Sequence, residues 1–413
     1  MRKLKETIAN MKRVFLLGAG ASKSYDDSKT GVKMPISSDF FNAFHQLKLA
    51  QNPWVLFGDI INYVAKKNNS DILDFLFYNE DIEALHTEIQ EKLYKRLNSG
   101  NFTLHIDDTH LLKSYNQLIF LFVSVINEIQ NGPISQSHIN LAKQLDDNDC
   151  IITFNWDTLM DRALNQETSW NSDFGYLVKP VAVYRDKWVS IDLNNENSNF
   201  PKLLKLHGSS NWLTSHNMPK DGRLELMQET EPENFFVYEN TNSPYDCYEG
   251  RYMKNYEEFS YGYYPPNLPL KGKQVPDEML LFKHRLKSPF MPEGKAGRTG
   301  LVSMPLIIPP VKHKEYDSFG DLFGILWEEA KNQLIEANKI YIIGYSFPIT
   351  DVRSNHLFKS VFKKRSFFPE IVILNPNPDE IVKRFEKEFL VPRDKLKVIK
   401  QYFTKDFDIN ANT

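Results

Sequence analysis

The stretch Val14-Phe15-Leu16-Leu17-Gly18-Ala19-Gly20-Ala21-Ser22 decides the fold. Four apolar residues followed at once by glycines read as a buried strand that ends in a tight turn and feeds a helix. Gly18 permits the turn. Gly20 lets backbone N–H groups approach a diphosphate, and the N-terminus of the following helix favours its negative charge. The third glycine of the usual dinucleotide fingerprint is missing, and no acidic ribose reader is obvious about 20 residues on. An ordinary strand-to-helix turn would read the same way.

The surrounding pattern supports a doubly wound sheet. Strands are expected at 150–154, 203–206, 304–308, 340–343, 371–374 and 396–399, and helices at 157–164, 319–337, 351–362 and 378–389. Apolar strands alternating with helices imply an α/β fold, a Rossmann-like parallel sheet with helices on both faces. Two insertions interrupt it. Residues 40–147 are helical in pattern, with Ile82, Leu85, Ile89 and Leu93 on one face and Asn79 or Asp81 available as a cap. A more apolar helix is expected over 111–129. Its run 118–126 is apolar nearly all round and too short for a bilayer, which needs roughly 20 residues. That run needs cover, from its own subunit or from another.

Short strands are expected at 181–184 and 188–191. The second insertion, residues 215–300, reads as irregular and Tyr-rich. Tyr245, Tyr248, Tyr252, Tyr256, Tyr261, Tyr263 and Tyr264 crowd it, either packing it on the core or forming a partner interface.

Composition narrows the function. The chain has 413 residues, 41% hydrophobic and 25% charged, with a net charge of −3. That is a globular composition, and it excludes a globally basic nucleic-acid binder. Two cysteines, Cys150 and Cys247, exclude a disulfide scaffold and a four-cysteine zinc site. Residues 1–13 are charged and lack the apolar core of a signal peptide, so the cytoplasm is the expected location. His105 and His110 flank Asp107 and Asp108 without metal-site spacing and read as a surface loop. The basic run Lys283, His284, Arg285 and Lys287, joined by Lys295 and Arg298, reads as a solvated loop, and no direct nucleic-acid binding is expected.

Three other strand ends carry polar residues. They are Thr153-Phe154-Asn155-Trp156-Asp157, Leu206-His207-Gly208-Ser209 and Gly344-Tyr345-Ser346. In open parallel sheets, ligands bind at the carboxyl ends of strands, so these segments can converge on one crevice with the glycine loop. Singly, each has a plainer reading: Asn155 or Asp157 as a helix cap, His207 as a satisfied strand-end histidine, and Gly344 with Ser346 as a turn.

With Asn375-Pro376 added, the ordered set resembles the sirtuins. More closely, it is similar to the bacterial sirtuin-like proteins that destroy NAD during phage defence, including Gly344-Tyr345-Ser346-Phe347-Pro348 followed by Asp351. The resemblance implies one NAD-binding domain over 1–413, its core at about 13–50, 148–214 and 300–405. It implies that Gly18, Ala19, Gly20 and Ser22 cradle the diphosphate. Asn155 would position the nicotinamide ribose and a water, and Asp157 would hold the carboxamide. His207 would be the general base. Gly344 and Ser346 would line the phosphate and adenosine-ribose side, and Asn375 would contact the adenosine ribose.

The deacylase branch carries a four-cysteine zinc module after the histidine, and residues 214–299 hold only Cys247. Ser209-Ser210-Asn211-Trp212 stands where a peptide-binding segment would follow. The expectation is therefore NAD hydrolysis to nicotinamide and ADP-ribose, with water as acceptor and no metal, serving antiphage defence. Restraint of such an activity is expected from a homo-oligomer or a partner. The partner would be a HerA-type ATPase or, less in keeping with the pattern, an Argonaute, and no membrane is involved. The alternatives are an NAD- or ADP-ribose-binding regulatory module without catalysis, and an NAD-dependent protein deacylase.

Overall fold

The structure, a computed structural model, describes residues 11–409 apart from 52, 100–105, 131, 173, 179, 186, 191–198, 218–233, 239–278, 284–300, 315, 317–320, 349–350 and 366. In chain order the first elements are β1 (Arg13–Leu17), α1 (Ala19–Ser22), α2 (Phe40–Phe44), α3 (Trp54–Asn68), α4 (Ile82–Asn98), α5 (Ile106–Gln130), α6 (Gln136–Ala142), β2 (Cys150–Thr153) and α7 (Leu159–Glu167). Then follow β3 (Pro180–Arg185), β4 (Lys187–Ser190), β5 (Lys202–Lys205), β6 (Gly208–Asn217), β7 (Asn234–Tyr238), β8 (Met279–Lys283) and β9 (Leu301–Ile307). The last are α8 (Leu322–Glu336), β10 (Lys339–Ile343), α9 (Val352–Lys364), β11 (Glu370–Leu374), α10 (Asp379–Lys387) and β12 (Leu396–Ile399).

The main sheet is six-stranded, in the order β12-β11-β10-β1-β2-β5. Every pairing in it is parallel, with Val14 opposite both Ile340 and Cys150. Counted by appearance in this sheet, the order is 3-2-1-4-5-6, the Rossmann arrangement. β1 and β10 flank the point where the winding reverses, the place at which open sheets of this order bind their ligands. The inner strands are apolar because helices cover both faces: Val14, Phe15, Leu16, Ile151, Ile152, Ile342 and Ile343 have no exposed surface beyond a trace.

At that reversal, two loops touch backbone to backbone. Gly18 N–H donates to Ile343 O (3.0 Å), and Gly20 N–H to Gly344 O (2.9 Å). A Cβ on Gly18 would meet Tyr345 Cα at 2.5 Å, and one on Gly20 would meet Gly344 Cα at 2.8 Å. Gly344 has φ +63°, and a Cβ there would come within 2.4 Å of Ala21 N.

The second sheet differs from expectation. It is antiparallel, in the order β4-β3-β8-β7-β6-β9. The strand expected at 304–308 belongs to it rather than to the parallel sheet. β6 starts directly after β5, and an antiparallel partner such as β9 needs no crossover helix to reach it. β7 and β8 lie inside residues 215–300, so that insertion is not wholly irregular. The tyrosine run and the basic residues after Lys283 lie outside the described residues.

The helical layer is a core of its own, built on α2 to α5. Ile82, Leu85, Ile89 and Leu93 are fully buried, and Asp81 caps α4 through Glu83 N (2.8 Å) and Ala84 N (3.1 Å). The loop expected around His110 is instead the first turn of α5, where Asp107 and Asp108 complement the helix dipole. His110 Nδ1 pairs with Asp59, and His105 lies outside the described residues. The apolar run 118–126 is covered by its own subunit, with no residue in it more than 9% exposed. It therefore gives no reason to bring in a neighbouring copy. Among the described residues, no helix is long and apolar enough to cross a membrane.

Replacing Gly344 by alanine combines left-handed backbone strain with a clash against Ala21. The expected loss is about 2–4 kcal/mol of unfolding free energy, measurable by urea denaturation. A stability equal to wild type would contradict the packing described for this turn.

Candidate functional site

The turn after β2 carries the first group. Asn155 Nδ2 donates to Gly18 O (2.8 Å) and to Ser22 Oγ (2.7 Å). Gly18 O can only accept, which fixes the orientation of the amide. With its NH2 engaged, the half-buried Asn155 keeps an Oδ1 that accepts no hydrogen bond from the described residues. Ser22 Oγ donates to Asp157 Oδ2 (2.5 Å), and Leu159 N–H donates to Asp157 Oδ1 (3.1 Å). Gly18, Gly20, Ser22, Asn155, Asp157 and Gly344 are thus one connected cluster at the winding reversal.

Several expected roles need adjusting. The amides of Gly18 and Gly20 are committed to Ile343 and Gly344, so these glycines serve loop-to-loop packing rather than offering N–H groups to a diphosphate. Helix α1 is only four residues long, which makes its dipole a weak anion site. Asp157 is buried and faces Ser22, with a hydrogen bond already on each carboxylate oxygen. Ala19 and Ser346 are exposed. Asn375 accepts from Asn377 N (2.8 Å) within its own turn. Neither Ser346 nor Asn375 is hydrogen-bonded to the Gly18–Ser22 segment.

His207 follows β5, where Gly208, at φ +78°, turns the chain into the second sheet. Its imidazole is 3% exposed, among Phe154 (5.1 Å), Trp156 (5.7 Å) and Trp327 (6.5 Å). Nε2 shares a hydrogen bond with Tyr316 Oη (2.9 Å) and lies 3.9 Å from Asp351 Oδ2. Asp351, itself 2% exposed, also accepts from Tyr345 Oη (2.8 Å) and caps α9. Burial lowers the His207 pKa to about 4, against the opposing pull of Asp351. The imidazole is therefore neutral near pH 7, as a proton acceptor must be.

The sequence reading missed Tyr316 and gave Asp351 no role. It also missed a buried network under the site. Lys205, with no exposed side chain, donates to Asp157 O (2.5 Å) and to Asp161 Oδ2 (2.9 Å). Tyr176 Oη donates to Asp161 Oδ1 (2.5 Å). The one available signal was a lysine inside the apolar strand Leu203-Leu204-Lys205-Leu206. The helical layer reaches the same turn: Thr158 N–H donates to Gln130 Oε1 (2.8 Å), and Phe122 packs on Trp156 at 4.7 Å.

No protein-family model matches the chain, and no curated protein matches it.

Removing one partner of a buried ion pair strands the other charge. Lys205→Met is expected to cost about 3–5 kcal/mol, and adding Asp161→Leu should recover part of that loss. Urea denaturation of both single variants and the double variant measures it. An additive double variant would refute the pairing.

Acid sensitivity follows from three buried histidines. Burial lowers His207 and His138 to about 4 and His86 to about 3, from an ordinary 6.5. The unfolded chain takes up these protons first as pH falls, so stability is full above about 6.5 and declines from there toward pH 4. Thermal unfolding across that window should show a falling midpoint, and a flat midpoint would contradict the neutral buried imidazoles.

Proposed function

We propose that the chain is a sirtuin-like NAD glycohydrolase, cleaving NAD to nicotinamide and ADP-ribose, and that it acts in antiphage defence by depleting NAD. One observation carries the reading. Asn155, anchored to the glycine loop, and neutral His207 stand on adjacent strand ends beside the winding reversal of a 3-2-1-4-5-6 sheet.

The reaction breaks the bond between C1′ of the ribose and the nicotinamide nitrogen, and the electron pair leaves with the ring. Water supplies the new oxygen on C1′ and gives up a proton. Asn155 Oδ1 accepts a hydrogen bond from that water and so orients it. His207 takes the proton, a role worth ~10²–10⁴-fold in such catalysis. Asp351, 3.9 Å away, compensates the charge that forms on the imidazole, and Tyr316 holds the ring in place. Phe154, Trp156, Tyr316 and Trp327 surround His207, so substrate reaches the imidazole only when part of that aromatic cover moves.

The covering of His207 also favours a second reading, a module that binds NAD or ADP-ribose and regulates a partner without catalysis. A protein deacylase is disfavoured because two cysteines cannot form the four-cysteine zinc module of that branch. A freely active NAD hydrolase would exhaust its own cell. Restraint comes from assembly or from a HerA-type ATPase, with an Argonaute as the other option.

Incubation of the purified protein with NAD, alone and with the products of neighbouring genes, separates the readings. Nicotinamide and ADP-ribose should accumulate, and Asn155→Ala and His207→Ala should each abolish NAD loss with the fold retained by circular dichroism. Saturable NAD binding without product under every condition would favour the regulatory module. Full turnover in either variant would remove this mechanism.

A further inference from the structure

A 3₁₀ segment in the helical layer, Ile72–Phe77, is built rigidly yet presents apolar side chains to water. Its rigidity has two sources. Asp71 Oδ1 accepts from Leu73 N (2.8 Å), while Asp74 Oδ2 accepts from Asp71 N (3.1 Å), a reciprocal cap at the start of the segment. Phe75 anchors the middle, 2% exposed, against Phe41 (5.9 Å) and Tyr78 (5.8 Å). The other apolar residues turn outward: Phe77 is 83% exposed and Leu73 57%, with Ile72 and Leu76 beside them. Four such side chains on one short segment make an apolar patch on the order of a few hundred Å², the upper range of what a monomer exposes and often a functional surface.

Its charge calls for a basic partner surface. Asp71 and Asp74 are exposed at its edge, and neither has a cation within ion-pair distance among the described residues. The complement stands elsewhere on the same chain, at the end of α9. There Phe367 is 54% exposed and the Arg365 guanidinium lies 4.8 Å over its ring. The donors of Arg365 go to the carbonyls of Leu334, Ala337 and Phe367, so its charge meets no carboxylate. Exposed Lys363 likewise has no acidic partner among the described residues.

We propose that the acid-edged apolar patch at 71–77 docks on the basic, aromatic surface formed by Lys363, Arg365 and Phe367 of a second copy of this chain. The two surfaces differ, so the contact is head-to-tail, and repeating it builds a ring or a filament rather than a closed two-fold dimer. The contact is independent of the NAD reading, because no residue in it belongs to the site.

Light scattering of the full chain over a micromolar concentration series is the first test. Association that rises with concentration and weakens with salt is expected, because the charged edge is screened. Phe77→Ser should weaken it about tenfold or more, as loss of an aromatic anchor does. Lys363→Glu should weaken it as well. Both positions are exposed, so the variants should fold, and unfolding midpoints check this. Direction is read by cross-linking in a Cys247→Ser background. A mixture of Phe77→Cys protein with Phe367→Cys protein should form a disulfide-linked pair, and neither variant alone should do so. A strict monomer, association unaffected by Phe77→Ser, or linkage of Phe77→Cys protein to itself would each overturn the proposal.

Discussion

Two loops meet with no side chain between them, and the site depends on that contact. Gly18 and Gly20, leaving β1, lie on Gly344, leaving β10, close enough for their amides and carbonyls to bond directly. The contact spans the winding reversal, where the sheet would otherwise be open at its carboxyl edge. It fixes Gly18 O as an acceptor, and that carbonyl holds the Asn155 amide. From Asn155 the connection runs through Ser22 to Asp157. On the proposed reading, the glycines act on NAD indirectly, by setting the geometry of Asn155, Ser22 and Asp157.

A second constraint comes from beneath. Lys205 and Asp161 are buried together, an arrangement whose desolvation cost is often not repaid in stability. Placement offers a reason for it. The Lys205 ammonium also binds the carbonyl of Asp157, so β5 and the turn after β2 are held at a fixed distance. His207 lies two residues beyond Lys205 on the same chain segment. The ammonium thus reinforces the strand pairing, where Leu206 N–H donates to Thr153 O (3.0 Å), in holding together the Asn155 turn and the His207 turn, the two halves of the proposed chemistry.

The legible parts of the fold were those with local signals. β1, β2, β10, β11 and β12 are short, nearly unbroken apolar runs flanked by turn residues, and the sequence reading found each within a residue or two. The second sheet was not legible. β6 opens Gly208-Ser209-Ser210-Asn211, polar residues that lack strand alternation and are buried by tertiary partners, Gln130 of α5 on Ser210 and Tyr176 on Asn211. Its partner β9 lies far along the chain, and such pairings leave no periodic trace. In the site, Asn155 and His207 stood out as polar residues at strand ends. Tyr316 had no such marker, because it follows β9 in a loop and meets His207 only through tertiary packing.

The helical layer changes meaning once its contacts are known. As a sequence it was a separable block, with an apolar helix in want of cover. In the structure α5 spends its apolar face inside the subunit, and its C-terminal end supports the site. Gln130 accepts from Thr158 N–H and, through Nε2, donates to Ser210 Oγ (3.0 Å), bridging the turn after β2 and the start of β6. Phe122 packs edge-on against Trp156, one of the four rings around His207. A motion of Trp156 therefore disturbs α5. The same helix packs along α3, and α3 packs against the 3₁₀ segment that carries Phe77. The packing from that outer surface to Trp156 is thus continuous through one core, and α5 is the element common to both ends.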